Sequence, residues 1–139
     1  MDNSHLTAVD IVNNIAEGKL TSVEIAESLV QRAESCAKLN ALINFDSARF
    51  LQAARAADRS LASGDAVGPL HGLPLVIKDN IDIEGLCTTA ATPALRYHRP
   101  RNTGPVMRKL LDAGAIVMSK SNMHEMAFSP GVSQPQNGC

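Results

Sequence analysis

The stretch Thr103 to Met118, TGPVMRKLLDAGAIVM, decides the fold class. Val106, Met107, Leu110 and Leu111 fall on one helical stripe, Gly114 is a fitting terminator, and Ala115 to Met118 is a continuous apolar run of strand length. A helix that feeds directly into a buried strand implies α/β wiring. Upstream, Leu75-Val76-Ile77 is a second apolar run and reads as another buried strand. Two such strands on either side of one helix predict a parallel pair joined by a right-handed crossover.

Working outward, GDAVGPLHGLP from Gly64 to Pro74 holds three glycines and two prolines, which suits a shaped loop rather than a regular element. Asp79 to Arg101 is irregular, and its threonines and prolines predict a long surface or site-lining loop inside the crossover. The front of the chain is helical. Ala8, Ile11, Val12 and Ile15 share a face between a Thr7 cap and a Gly18 stop. Thr21-Ser22-Val23-Glu24 has capping-box spacing ahead of Ala26, Leu29, Val30 and Ala33. Leu42 to Phe45 fits a short strand, and an alanine-rich helix runs through Phe50, Ala54, Ala57 and Leu61. No internal repeat or low-complexity tract interrupts this order, so residues 1–139 read as a single unit, with a helical front over 1–66 leading into a sheet over 67–139.

Composition narrows the function classes. The chain of 139 residues has 45% hydrophobic and 19% charged residues, a balance that predicts a folded core rather than disorder. Thirteen basic and fourteen acidic side chains give a formal net charge of -1 without a run of like charge, so neither a nucleic-acid nor a membrane partner is expected. The basic cluster from Arg96 to Arg101 reads as a solvated loop. MDNSHLTAVD lacks the basic start and apolar run of a secretory signal, and a cytoplasmic protein is the expectation. Cysteines at 36, 87 and 139 suit neither a disulfide framework nor a zinc cage and read as thiols.

Lys78 is the first candidate for chemistry. It closes an apolar strand where the sheet meets a polar loop, a position at which ligands collect in α/β proteins. Pattern alone favours a lysine that leaves the sheet and pairs with an acid such as Asp79, which would hold the amine protonated. A lysine held against apolar walls instead loses the solvation of its charged form and becomes available as a base.

The string GPLHGLPLVIKDNIDIEGLCTTAATPAL, Gly68 to Leu95, tips that balance, because it resembles the opening of the amidase-signature region. In that family the lysine of a V-x-K-D-N-type string is the base of a Ser, cis-Ser, Lys triad. A Thr-Thr pair lies in the following loop, and a G-A-x-x-x-x-K-x-N-M segment ends the next strand. The matching residues are Lys78, Thr88 with Thr89, and Gly114 to Met123. The resemblance implies an α/β fold in which N-terminal helices precede part of a mixed, largely parallel sheet, an incomplete amidase-signature fold. It implies hydrolysis of a small carboxamide to acid and ammonia, without cofactor or metal, with Lys78 as the catalytic residue and Met123 bordering the substrate cleft. CTTAATPAL and SNMHEMAF look closest to the indoleacetamide or mandelamide hydrolase branch.

Ser121 stands where the family commonly has threonine, and the glycine-flanked segment that supplies the cis-serine is not among the 139 residues. The resemblance therefore transfers a base but no nucleophile and no oxyanion donor. The expectation is a fragment of an amidase that is inactive alone. The rival readings are a truncated or partner-binding domain without catalysis, and a fragment like the A-type polypeptide of glutamyl-tRNA amidotransferase. Strands left uncovered in such a fragment predict an exposed apolar surface and self-association into a homo-oligomer. His71 reads as a loop histidine bonded to backbone, and His124 with Glu125 lacks the spacing of a metal motif. The tail from Ser129 to Cys139 drifts from the family pattern.

Overall fold

The structure is a computed structural model that describes residue 3 and residues 5–128. Helix α1 spans Ala8–Ala16 and α2 spans Ser22–Ser35. Both begin in capping boxes. Thr7 and Asp10 exchange side-chain-to-backbone hydrogen bonds at the start of α1, and Thr21 and Glu24 do the same at α2, which satisfies amides that the first helical turn leaves without partners. Gly18, at φ 67°, follows the last turn of α1 as the sequence predicts. The first turn of α2 has a second, non-local cap: the carboxylate of Asp58 accepts from the amides of Ser22 at 2.7 Å and Val23 at 3.1 Å. Asp58 belongs to α3, Ser47–Ala62, so this contact fixes α3 against the start of α2.

Three strands form one sheet. They are β1 (Leu42–Ile43), β2 (Pro74–Lys78) and β3 (Ile116–Ser121), in the order β1-β3-β2. β2 and β3 are parallel, as the flanking of helix α4 (Pro105–Asp112) requires, while β1 joins β3 antiparallel. The register pairs Leu75 with Val117 and Val76 with Ser119, so Met118 is the extra residue of a bulge.

Each face of the central strand has its own core. Phe50 and Ala54 of α3, with Ala26 of α2, pack against Met118 and Ile116. Ile77, Ile83 and Met107 form the other core, with Leu75, Leu110 and Val117 against them. A third cluster, Ile11, Ile15, Ile25 and Leu73, ties the helical front to the loop that precedes β2. That loop is seated on the turn between α4 and β3. Leu70 donates to the Ala113 carbonyl at 2.8 Å, Gly72 donates to the Gly114 carbonyl at 2.9 Å, and Ile116 donates to the Leu73 carbonyl at 2.9 Å. The approach is too close for a side chain at Gly68, whose Cβ would collide with the Ala113 carbonyl. At Gly114, φ is 96° and a Cβ would lie 2.8 Å from the His71 Cα.

Two expectations about the chain path need correction. Leu75 to Ile77 is not a fully buried strand: β2 lies at the edge of the sheet, and Val76 is 45% exposed. Of the surface or site-lining path expected for the loop after β2, the surface alternative does not hold throughout, because Cys87, Thr88, Thr89, Ala90 and Ala91 are all buried. Cys36 is a free, exposed thiol, whereas Cys87 is disulfide-bonded, contrary to the expectation of thiols. Cys139 and the tail from Ser129 lie outside the described residues. Among the described residues no helix is long and apolar enough to cross a membrane.

Phe50 is fully buried between α2, α3 and the sheet. Phe50→Ala is expected to lower unfolding free energy by about 3–5 kcal/mol, measured by denaturant titration; a loss below about 1 kcal/mol would mean that this core is not the one that holds α3 to the sheet.

Candidate active site

The parallel strands β2 and β3 end side by side, with Lys78 opposite Ser121 in the register. The segments that leave them therefore emerge at the same end of the sheet, the carboxyl end of the strands at which α/β proteins place ligands. Lys78 is exposed there. This departs from the apolar walls expected around its amine: Lys78 projects from the same side of edge strand β2 as Val76, which is 45% exposed.

Asp79 does not pair with Lys78. Side chains alternate along an extended strand, so as Lys78 points outward its neighbour turns inward, and Asp79 is 1% exposed. Its partner is Lys120 of β3, also 1% exposed, whose Nζ lies 3.3 Å from Asp79 Oδ1. Asp79 Oδ1 accepts no hydrogen bond and instead meets the charge of that ammonium. Oδ2 accepts from the Thr89 amide at 3.1 Å and from the Thr89 hydroxyl, while the Asp79 carbonyl accepts from Ala90 at 3.0 Å.

Lys120 also donates to the Ile81 carbonyl at 2.7 Å, the Thr88 hydroxyl at 3.2 Å and the Cys87 carbonyl at 3.4 Å. The loop from 79 to 89 is thus wound around one ammonium group. Burial pushes the Lys120 amine below its ordinary range, and the carboxylates of Asp79 and Asp82 oppose that shift without reversing it.

The loop continues through Ala90 and Ala91, both at positive φ (47° and 58°), a conformation in which a residue with a side chain is disfavoured. Each is held by a specific bond. Ala91 donates to the Thr89 hydroxyl at 3.2 Å, and the Ala90 carbonyl accepts from Met126 at 2.8 Å. The latter bond joins the threonine loop to the segment that follows β3.

The other sequence candidates fall as follows. Met123 is 5% exposed, two residues past the end of β3. His71 lies within 2.9 Å of the Ala57 carbonyl through Nε2, the backbone contact expected of it. His124 meets the Glu125 carbonyl at 3.2 Å. Arg96 stacks over the exposed Tyr97 ring at 5.5 Å. The residue that sequence reasoning missed is Lys120. Its signal was available: a lysine in SKSNM, directly after an apolar strand that needs cover on both faces, has to bring a partner inside with it.

Comparison with known proteins agrees with this geometry. The family model for amidases, described as Amidase, matches residues 24–138. The chain belongs to the amidase family. It is 39% identical over 123 residues to a mandelamide hydrolase of Pseudomonas putida, covering 88% of this chain and 24% of that protein. It is 36% identical over 133 residues to an indoleacetamide hydrolase of Bradyrhizobium diazoefficiens, covering 95% and 25%. The A-type polypeptide of a glutamyl-tRNA(Gln) amidotransferase from Lachnospira eligens is 36% identical over 123 residues, covering 88% and 26%. Among solved structures, the peptide amidase of Stenotrophomonas maltophilia superposes with a TM-score of 0.79 at 32% identity, covering 88% of this chain and 26% of that one. The chain thus spans about a quarter of the length of these relatives.

Asp79→Ala leaves a buried ammonium without its counter-charge and is expected to cost about 3–5 kcal/mol, whereas Lys78→Ala, at an exposed position, is expected to stay within about 0.5 kcal/mol. Denaturant midpoints of the two variants give the comparison, and equal losses would contradict the assignment of the two lysines. The pH dependence carries a definite sign. With the folded value of Lys120 below its unfolded value, the unfolded chain holds more protons in the interval between them, so stability rises with pH through that interval. Relative to Lys120→Met, the wild-type chain is expected to gain stability as pH rises toward the ordinary lysine range of about 10; a flat or falling difference would contradict the shift.

Proposed function

We propose that this chain is the segment of an amidase that supplies the proton-accepting lysine, Lys78, for hydrolysis of a small carboxamide to acid and ammonia. The observation that carries the proposal is the placement of Lys78 at the end of β2, inside the stretch that matches the amidase model and beside the end of β3. In the proposed chemistry the Lys78 amine takes a proton from a cis-serine, which in turn deprotonates a nucleophilic serine. The serine oxygen bonds to the amide carbon, the C–N bond breaks as the nitrogen gains a proton and leaves, and water then releases the acid from the acyl-enzyme. Neither serine is assigned within the 139 residues, so the segment alone is proposed to be inactive.

Met123, just past the end of β3, is proposed as part of the apolar wall of the substrate site; its burial supports a wall that packs from behind rather than an open contact surface. The similarity to mandelamide and indoleacetamide hydrolases supports an aryl-substituted amide as substrate, and the site is proposed to work without cofactor or metal. The glutamyl-tRNA(Gln) amidotransferase polypeptides, at similar identity, support the second reading, a fragment of that kind, equally well by sequence. The absence of a basic run in the sequence favours the small-molecule reading, with no nucleic-acid or membrane partner. Residues 1–139 are proposed to act as a single cytoplasmic unit, with exposed Val76 on edge strand β2 as a point of self-association between copies.

The test is a chimera in which this chain replaces the matching stretch of the Pseudomonas putida mandelamide hydrolase. Mandelamide turnover by the chimera is expected to fall by about 10²- to 10⁴-fold on Lys78→Ala, chiefly in kcat, and the 139-residue chain alone is expected to release no ammonia. Retained turnover in the alanine chimera would refute the role of Lys78; ammonia release by the lone chain, abolished by the same substitution, would refute its inactivity.

A further inference from the structure

Four oxygens converge on one point of the interior: the Ile81 carbonyl at 2.7 Å, the Thr88 hydroxyl at 3.2 Å, an Asp79 carboxylate oxygen at 3.3 Å and the Cys87 carbonyl at 3.4 Å from Lys120 Nζ. Two are backbone carbonyls and one bears a formal negative charge, which is the donor chemistry of a cation site rather than of a neutral core. The atom they surround is carried in by β3, from the other side of the crossover, and is 39 residues distant in sequence from Ile81. Nothing in the proposed hydrolysis uses it.

We propose that the 79–89 loop forms an oxygen cage selective for a primary ammonium, that Lys120 fills this cage as a tethered cation, and that Lys120 is thereby the positioning residue for Lys78. The linkage to Lys78 is short. The cage ammonium holds Asp79 inward, and because adjacent strand residues point to opposite sides, an inward Asp79 fixes Lys78 outward at the end of β2. The same pull closes the rest of the loop. Asp79 holds Thr89, Thr89 holds Ala91, and Ala90 holds Met126, so one charge orders both segments that leave the sheet at this end.

An apolar side chain such as methionine occupies the shaft but offers the four oxygens no donor, which leaves the buried Asp79 carboxylate with Thr89 alone and without its counter-charge. A free alkylammonium of the right length does the reverse. In Lys120→Ala the missing atoms are three methylenes and the ammonium, the skeleton of n-propylammonium. The cage therefore has a defined ligand class, short primary alkylammonium ions, once its own lysine is removed.

The positioning role rests on the reading of Lys78 as the base, but the test does not use catalysis. Hydrogen exchange at residues 79–91 is followed in the wild-type, Lys120→Ala and Lys120→Met chains. Acetylation of Lys78 relative to the exposed amine of Lys19 is followed in the same samples by mass spectrometry. Both substitutions are expected to abolish protection of the loop and to change the Lys78 ratio. Added n-propylammonium is expected to restore both readouts in Lys120→Ala and neither in Lys120→Met, with tetramethylammonium at equal ionic strength restoring nothing.

Wild-type behaviour in Lys120→Met, or equal rescue by tetramethylammonium, would overturn the cage. Restored loop protection with an unchanged Lys78 ratio throughout would overturn the positioning role alone. Should Lys120→Ala not fold, the wild-type chain labelled with ¹⁵N-lysine decides the matter. A slowly exchanging ammonium resonance, absent in Lys120→Met, supports the cage, and a freely exchanging one overturns it. Failure of the mandelamide chimera with these outcomes intact would count against Lys78 as base and leave the cage standing.

Discussion

The ion pair of Lys120 and Asp79 is the constraint around which this end of the molecule is organised. Removing two charges from water costs several kcal/mol per ion, and a single contact at 3.3 Å does not offset it. What makes the arrangement tenable is the number of groups recruited. Three further oxygens surround the ammonium, and two donors from Thr89 serve the free side of the carboxylate. Each recruited group belongs to the chain between 79 and 89, so satisfying one buried pair dictates the path of that segment.

That path has to be compatible with the sheet, and the connection runs through the glycine-rich approach to β2. The Gly68–Leu73 stretch lies directly on the α4–β3 turn through three backbone hydrogen bonds, which sets the entry of β2 against the entry of β3. The bulge at Met118 then shifts the register, so that Ser119 rather than Met118 is opposite Val76. Past the bulge, Lys120 faces Ile77 and Ser121 faces Lys78 in the pairing. Without the bulge Lys120 would fall on the other face, because a one-residue slip inverts every side chain beyond it. The buried pair and the bulge therefore depend on each other.

Much of the fold was legible because its signals are local. The capping boxes at Thr7 and Thr21, the stop at Gly18 and the helix-to-strand transition at Gly114 each depend on residues within a few positions, and each is found where the sequence puts it. The parallel pairing of β2 and β3 followed from the helix between them. What failed to show depends on neighbours distant in sequence. Leu75-Val76-Ile77 reads as a buried strand in any sheet, and only the order β1-β3-β2 reveals that it lies at an edge. Thr88 and Thr89 read as loop residues because the groups that draw them inward come from 10 and 32 positions away, at Asp79 and Lys120. Lys78 was found through its resemblance to a family motif, yet the physical environment inferred for it, a lysine deprived of water, belongs to Lys120.

The contrast between these two lysines bears on the chemistry. Burial lowers the proton affinity of the Lys120 amine, the nearby carboxylates oppose that shift without reversing it, and four oxygens surround the group. It is enclosed by the 79–89 loop, whereas Lys78 opens outward. Lys78 has the opposite properties: it is open at the sheet edge and its neighbouring acid is turned away from it. An amine in that position makes no ion pair with the acid that follows it in the chain and stays accessible at the end of β2. The inward Asp79 is thus as significant for Lys78 as for Lys120, since one carboxylate committed to the interior leaves the exposed lysine without a charge partner adjacent in the chain.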